Sequence, residues 1–377
     1  MWIACLSPAC LDENPRFDGE SGSGGGSAPS STGAQVSSTT SGSASTGGSQ
    51  TASGATATTE ATGAAGGTSA TEADVTSATN STNSTGAEEA TTTGAMPEEP
   101  PTLCGFAPGA WSLTTPAPVD ELNSPSDEAE PFLSPDGLTL YFASSRPEGL
   151  GAFDSYRAIR PALDAVFAPP INNVDLDING VSFDSKIALS PDGLRAYMAS
   201  DRSGTQGGSD LWTTSRVDTS SPFGPFENLS ALNTAEEEYD PHLSADELRL
   251  YFASGAPLAL YVAERGAPDQ PFPPATLVEG LASSSKSSHP YLTGDERVIL
   301  FESDRPGGAG DSDIWIATRP QLDAPFESPT PLPVINSPSF DGEPLLSADG
   351  CELLFASARP GGAGGWDLWR AELVAAP

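Results

Sequence analysis

The apolar and polar positions of this chain follow a pattern that returns five times. "EPFLSPDGLTLYFASSRP" begins at Glu130, "KIALSPDGLRAYMASDRS" at Lys186, "DPHLSADELRLYFASGAP" at Asp240, "HPYLTGDERVILFESDRP" at His289 and "EPLLSADGCELLFASARP" at Glu343. The anchor hydroxyls Ser134, Ser190, Ser244, Thr293 and Ser347 stand 56, 54, 49 and 54 residues apart. Such a period suits a propeller blade of four strands.

Each unit predicts the same elements. A short apolar strand ends at the hydroxyl. Ser-Pro-Asp-Gly then makes a tight turn: Pro sets φ, Asp accepts a backbone bond, and Gly takes the left-handed position. A strand apolar on both faces follows, as in "LTLYFAS", as expected of a sheet packed between sheets. After a Gly-rich loop a third strand opens "DSY", "DLW", "ALY", "DIW" or "DLW", and a Pro-Phe break leads to a weaker fourth. The chain ends just after the fifth third strand. Phe106 to Asn123 resembles the segments between repeats, so it is expected to complete the last blade and close the ring, which removes exposed sheet edges. The expected fold is therefore all-β: a five-bladed propeller of four-stranded antiparallel blades, over residues 101–377.

Composition divides the rest. Residues 19–100 are almost entirely Gly, Ser, Thr and Ala. They hold too little apolar surface to offset ordering entropy, and read as a disordered linker. Residues 1–18 read as the remnant of an export signal. In "MWIACLSPACLDENP" a short apolar piece ends in Ala-Cys, as at a lipoprotein processing site. The expectation is a true start upstream and lipidation at Cys5 (or Cys10), against two incidental cysteines on a loose terminus.

The net charge is −35. It excludes a nucleic-acid footprint, which is basic. It fits solubility first, and a cation or a basic partner second. Cys351 follows the last tight turn, and Cys104 precedes the segment expected to complete the same blade. Either a disulfide staples the ring in an oxidising compartment, or both are buried thiols.

The Gly-rich loops look like chemistry, above all "SDRPGGAGDSDIW". They share one plan. An Arg leaves the second strand (Arg146, Arg202, Arg305, Arg359) and an Asp opens the third (Asp154, Asp210, Asp313, Asp367). Blade three has Ala256 and Ala259 near these places, so both charges are missing together. Two structural readings fit: an Arg–Asp pair, or Asp capping the turn while Arg packs over it. A phosphate loop would occur once and open a helix. A calcium loop wants more carboxylates, and Asp311 with Asp313 is the one hint of Ca2+. No other cofactor is expected.

The pattern "SPDG…SDRPGG…DIW" resembles the bacterial WD-repeat-like propeller family with Pro-Asp repeats, the TolB type, over residues 127–377. TolB-type propellers have six blades; this chain has five repeats. The resemblance implies a binding or scaffold module of the cell envelope. The Ser-Thr-Gly spacer behind a lipidation site is similar to lipoproteins of myxobacterial type. Family members also precede serine peptidases, but no Gly-x-Ser-x-Gly elbow is present here.

By analogy with other propellers, a site would lie at the channel mouth. Four residues before each anchor stand Glu130, Lys186, Asp240, His289 and Glu343. Two further upstream stand Glu128, Asp184, Glu238, Ser287 and Asp341. Strand alternation turns one of these sets to the axis. The mouth is thus acidic, with one Lys and one His, and suits a cation or a basic or polyhydroxylated ligand; the other reading is that these acids cap turns and meet solvent. With two histidines in all, His242 and His289, nucleophilic catalysis and a zinc centre are not expected. The expected function is non-enzymatic binding of an envelope protein or glycan by an exported, lipid-anchored monomer. The alternative is a glycosidase using mouth carboxylates.

Overall fold

The structure is a computed structural model. It describes residues 111–147, 149–150, 153–173, 178–179, 186–347 and 349–375. The linker, Cys5, Cys10, Cys104 and Asp184 lie outside the described residues.

Five antiparallel sheets each run from an inner to an outer strand. β1 (Trp111–Leu113) and β2 (Ala117–Pro118) come first in the chain and are returned to below. Blade one is β3 (Glu128–Leu133), β4 (Thr139–Ser144), β5 (Asp154–Ile159) and β6 (Ile171–Asn172). Blade two is β7 (Ala188–Leu189), β8 (Arg195–Ser200), β9 (Asp210–Ser215) and β10 (Glu227–Asn228). Blade three is β11 (Glu238–Leu243), β12 (Arg249–Ser254), β13 (Ala259–Glu264) and β14 (Thr276–Leu277). Blade four is β15 (Ser287–Leu292), β16 (Val298–Ser303), β17 (Asp313–Thr318) and β18 (Thr330–Pro331). Blade five has β19 (Asp341–Leu346), β20 (Glu352–Ser357) and β21 (Asp367–Ala375).

The outer place of blade five is filled from the start of the domain. β1 pairs with the end of β21, Leu113 opposite Leu373, and β2 pairs with its beginning, Pro118 opposite Trp369. The ring is closed by strand pairing between its two ends. The second strands are the most buried, with Phe142, Phe252, Phe301 and Phe355 at most 2 % exposed, as strands between two sheets must be.

The turns after the inner strands work as their residues require. Ser134 Oγ donates to Asp136 Oδ1 at 2.6 Å, Asp136 accepts from Leu138 N, and Gly137 takes φ 70°. In blades three and four, Glu247 and Glu296 hold that left-handed position, with φ 61° and 53°. Each bridges to the preceding blade: Glu247 to Arg195 at 3.0 Å and Glu296 to Arg249 at 2.7 Å. The ion pairs compensate for a conformation that costs a side-chain-bearing residue free energy.

A second arginine series holds the same end of the molecule. Arg160, Arg216, Arg265 and Arg319 each donate from Nε to the carbonyl of Gly137, Gly193, Glu247 or Glu296, at 2.7–2.8 Å. Each lies over a phenylalanine: Phe167, Phe223, Phe272 or Phe326. These are the Phe residues of the Pro-Phe break, which thereby has a mechanism. In blade five Leu373 takes the Arg place, bonding its N–H to Cys351 O at 2.7 Å, and Cys351 is disulfide-bonded.

Candidate functional site

The inner strands explain how the axial side chains meet. β3, β11, β15 and β19 each slip register midway, between Ala129 and Phe132 in the first and at the matching points elsewhere. At the slip stand Glu130, Asp240, His289 and Glu343, with φ 55°, 58°, 49° and 56°. Each precedes a proline. Proline withdraws a donor from the ladder and disfavours the right-handed helical region for the residue before it. The bulge re-aims the side chain, as bulges beside sites do.

These residues form a closed hub. Glu343 of blade five accepts the backbone N–H of Glu130 in blade one. Glu130 Oε2 accepts the backbone N–H of Lys186 in blade two at 2.5 Å. Asp240 Oδ2 of blade three accepts the backbone N–H of His289 in blade four at 3.1 Å. Each carboxylate thus ties its blade to the next around the ring. The His289 ring lies between acids, with Nε2 3.0 Å from Asp240 Oδ1 and 3.8 Å from Glu343 Oε1, and Nδ1 3.1 Å from Glu302 Oε2. Lys286 Nζ is 2.7 Å from Glu302 Oε1.

Of the two upstream sets, the one containing Glu130, Lys186, Asp240, His289 and Glu343 turns to the axis. It makes a buried hub where an open mouth was expected: these five are 1–5 % exposed. Glu128, Glu238 and Asp341 serve the loops. Glu128 accepts from Ser124 N and Oγ and Ser144 Oγ, and lies 3.3 Å from Arg146. Glu238 does the same with Thr234 and Ser254, without an arginine. Asp341 accepts from Ser337 N, Ser357 Oγ and Arg359.

Burial opposes charge on His289, but Asp240, Glu302 and Glu343 outweigh it, and its pKa is pushed up to about 10. Burial likewise opposes charge on Asp240 and Glu302. The cations beside them, His289 and Lys186 for Asp240 and Lys286 and His289 for Glu302, hold both below the usual carboxylate range. Burial pushes Glu343 up, and it pulls Lys186 down against the pull of Asp240, Glu130 and Glu343. His242 is apart from the hub, edge-on to Tyr291, and its Nε2 accepts the Leu292 N–H at 3.3 Å. Burial, then Lys186, lowers it to about 3, so it is a neutral core histidine.

Glu302 was not singled out in the sequence, because it lies in a strand read as core. A signal was there: the other four blades have alanine at that place, Ala143, Ala199, Ala253 and Ala356. Two overlapping trios have donor atoms within 4.8 Å of one another and could hold a metal ion: Glu130, Asp240 and His289, and His289, Glu302 and Glu343.

The Gly-rich loops are structural, and the two charged series go separate ways. Asp313 accepts from Ala309 and Gly310 N–H, Asp367 from Ala363 and Gly364, Asp210 from Gln206 and Gly207, and Asp154 from Leu150. The arginines turn away over aromatic rings: Arg146 over Phe142 and Tyr156, Arg202 over Trp212 and Phe226, Arg305 over Phe301 and Trp315, Arg359 over Phe355 and Trp369. Asp capping its own loop, with Arg packed over aromatic rings, is the arrangement these contacts make. Asp311 is exposed, and Asp313 accepts its two loop N–H groups on Oδ2.

On the face bearing these loops, Phe340 and Trp366 stack with centroids 4.8 Å apart and planes at 11°, both half-buried. Phe340 and the hub residue Glu302 both crowd Gly342. A Cβ on Gly342 would come within 2.7 Å of Phe340 Cζ and 2.5 Å of Glu302 Oε2.

No protein-family description and no curated protein matches the chain. Among solved structures it is similar to TolB from Acinetobacter baumannii, at 14% identity over 66% of this chain and TM-score 0.39. It spans about half, 54%, of that protein. It is also similar to an α-L-arabinofuranosidase from Podospora anserina crystallised with cellotriose, at 10% identity, 70% of this chain, 97% of that one and TM-score 0.47. A third is an endo-arabinase from Bacteroides thetaiotaomicron, at 13% identity, 70% and 97% coverage and TM-score 0.42. At these identities and scores none carries an argument about function.

Proposed function

We propose that this chain is a non-enzymatic binding propeller, tethered to a bacterial cell envelope by a lipidated N-terminal cysteine. Its loop face, around Phe340 and Trp366, takes an envelope protein or glycan. The supporting observation is the commitment of the axial acids. Glycoside cleavage needs two carboxyl groups that flank a bond, within reach of substrate and water. Glu130, Asp240, Glu302 and Glu343 are instead 0–3 % exposed and engaged with neighbouring blades or cations. A stacked aromatic pair at the rim offers area at low entropic cost, which suits a sugar ring or a protein side chain.

The test compares wild type with Trp366→Ser on immobilised full chain, probed with isolated envelope glycans and envelope proteins. Serine already stands at the matching place in two blades, Ser209 and Ser312, so the variant keeps the fold. Retention by wild type and loss in the variant is expected. Equal retention by both would overturn the loop-face assignment.

A further inference from the structure

We propose that the hub of blade four is a binding site for one divalent transition-metal cation of the zinc type, held by His289, Glu302 and Glu343. The site rests on a departure of one blade from its four siblings. Glu302 replaces an alanine found in every other repeat, and it is fully buried, at 0 % exposure. In the same blade Ser287 replaces the acid that serves the loop in blades one, three and five, and Lys286 lies beside Glu302. The acidic charge of this blade has moved from the loop to the axis, next to the one axial imidazole.

Two further observations point to a ligand. His289 Nε2 and Glu302 Oε2 are buried and lack a hydrogen-bond partner of acceptable geometry. Nε2 instead lies 3.0 Å from Asp240 Oδ1, and Oε2 lies 3.1 Å from His289 Nδ1, as charge contacts. Ligand atoms, one each from His289, Glu302 and Glu343, lie within 4.8 Å of one another, so a small closure brings them to the ~2.0–2.2 Å that zinc requires of imidazole and carboxylate.

The hub brings together four buried carboxyl groups, Glu130, Asp240, Glu302 and Glu343. A ligating imidazole must be unprotonated, so a cation held by His289 would displace a proton from its ring. An imidazole with carboxylates selects zinc-like ions over calcium or magnesium, which prefer all-oxygen shells. The ion would fasten β15, β16 and β19, and so lock blade four to blade five independently of any partner on the loop face.

The test is calorimetric titration of Zn2+, and separately Ca2+, into chelator-stripped full chain in buffers of differing ionisation enthalpy. The expected result is one Zn2+ per chain with proton release, Ca2+ weaker by at least ~tenfold, and a higher melting temperature with zinc. Glu302→Ala restores the residue of the other four blades, and the Lys286 side chain, 11 % exposed, can turn to water. This variant is expected to keep its fold and lose the site, as is His289→Gln. X-ray absorption at the zinc edge of the wild-type complex gives a reading that needs no variant, and should show an imidazole among oxygen donors. The proposal is overturned by an absence of saturable Zn2+ binding, by undiminished binding in Glu302→Ala, by Ca2+ binding as tight as Zn2+, or by a shell of oxygen alone.

Discussion

Glu343, in the last repeat, accepts a hydrogen bond from the backbone N–H of Glu130, in the first. The contact crosses the seam at which the ring closes, on the axis, while β1 and β2 pair with β21 on the outside. The closure is fastened at both radii. Removing the inner fastening leaves a buried N–H without an acceptor, at about 1–3 kcal/mol. Glu343→Ala is therefore expected to lower the unfolding free energy of the metal-free protein, measured in urea, by that order. Glu343→Gln keeps an acceptor and should lose much less. Equal losses would show that the carboxylate's charge matters and its acceptor bond does not.

Lys186 is the buried cation among the hub acids. Lys186→Met removes the positive charge and keeps most of the volume. Breaking a buried charge network from one side costs about 3–5 kcal/mol. The expected outcome is a large drop in melting temperature at pH 7, relieved in part as the pH falls and carboxylates take up protons. A variant as stable as wild type would mean that the hub acids do not need this cation.

Arg305 and Asp313 belong to one loop and do not pair. Arg305 donates to Ser303 Oγ, Ser287 Oγ and Leu281 O, while Asp313 caps Ala309 and Gly310. In a double-mutant cycle with Arg305→Ala and Asp313→Ala, the coupling energy should fall within about 0.5 kcal/mol of zero. A larger coupling, measured by denaturant unfolding, would restore the ion-pair reading.

His242 sets an acid limb. Its folded pKa of about 3 lies below the unfolded value near 6.5, so the unfolded chain binds the proton more readily. The stability this gives is fully present above pH 6.5 and is lost as pH falls toward 3. The slope is about 1.4 kcal/mol per pH unit for one group. His242→Gln should flatten the stability profile between pH 6 and 4 relative to wild type. Parallel profiles would show that other groups carry the limb.

Much of the fold was legible because the five repeats spell the same physics. Ser-Pro-Asp-Gly dictates the turn, and strands apolar on both faces dictate stacking between sheets. The closing segment was recognisable as a missing outer strand. The axial positions were legible as a charged set, but their burial was not. Strand alternation predicts direction, and the bulge at Glu130, Asp240, His289 and Glu343 changes direction midway. The proline after each of them was the available sign. Glu302 escaped notice because a lone acid inside an apolar strand is visible only against Ala143, Ala199, Ala253 and Ala356. The Phe340–Trp366 stack joins residues from two different loops, and nothing in the local pattern pairs them.

The most direct test of the account is whether material held by the loop face is changed. The full chain would be incubated with isolated envelope glycans, and both the retained and the released fractions weighed by mass spectrometry. The account predicts glycan or protein retained at unaltered mass. Shortened saccharides whose formation is abolished by Asp240→Asn would contradict it, because the axial acids would then be acting on substrate.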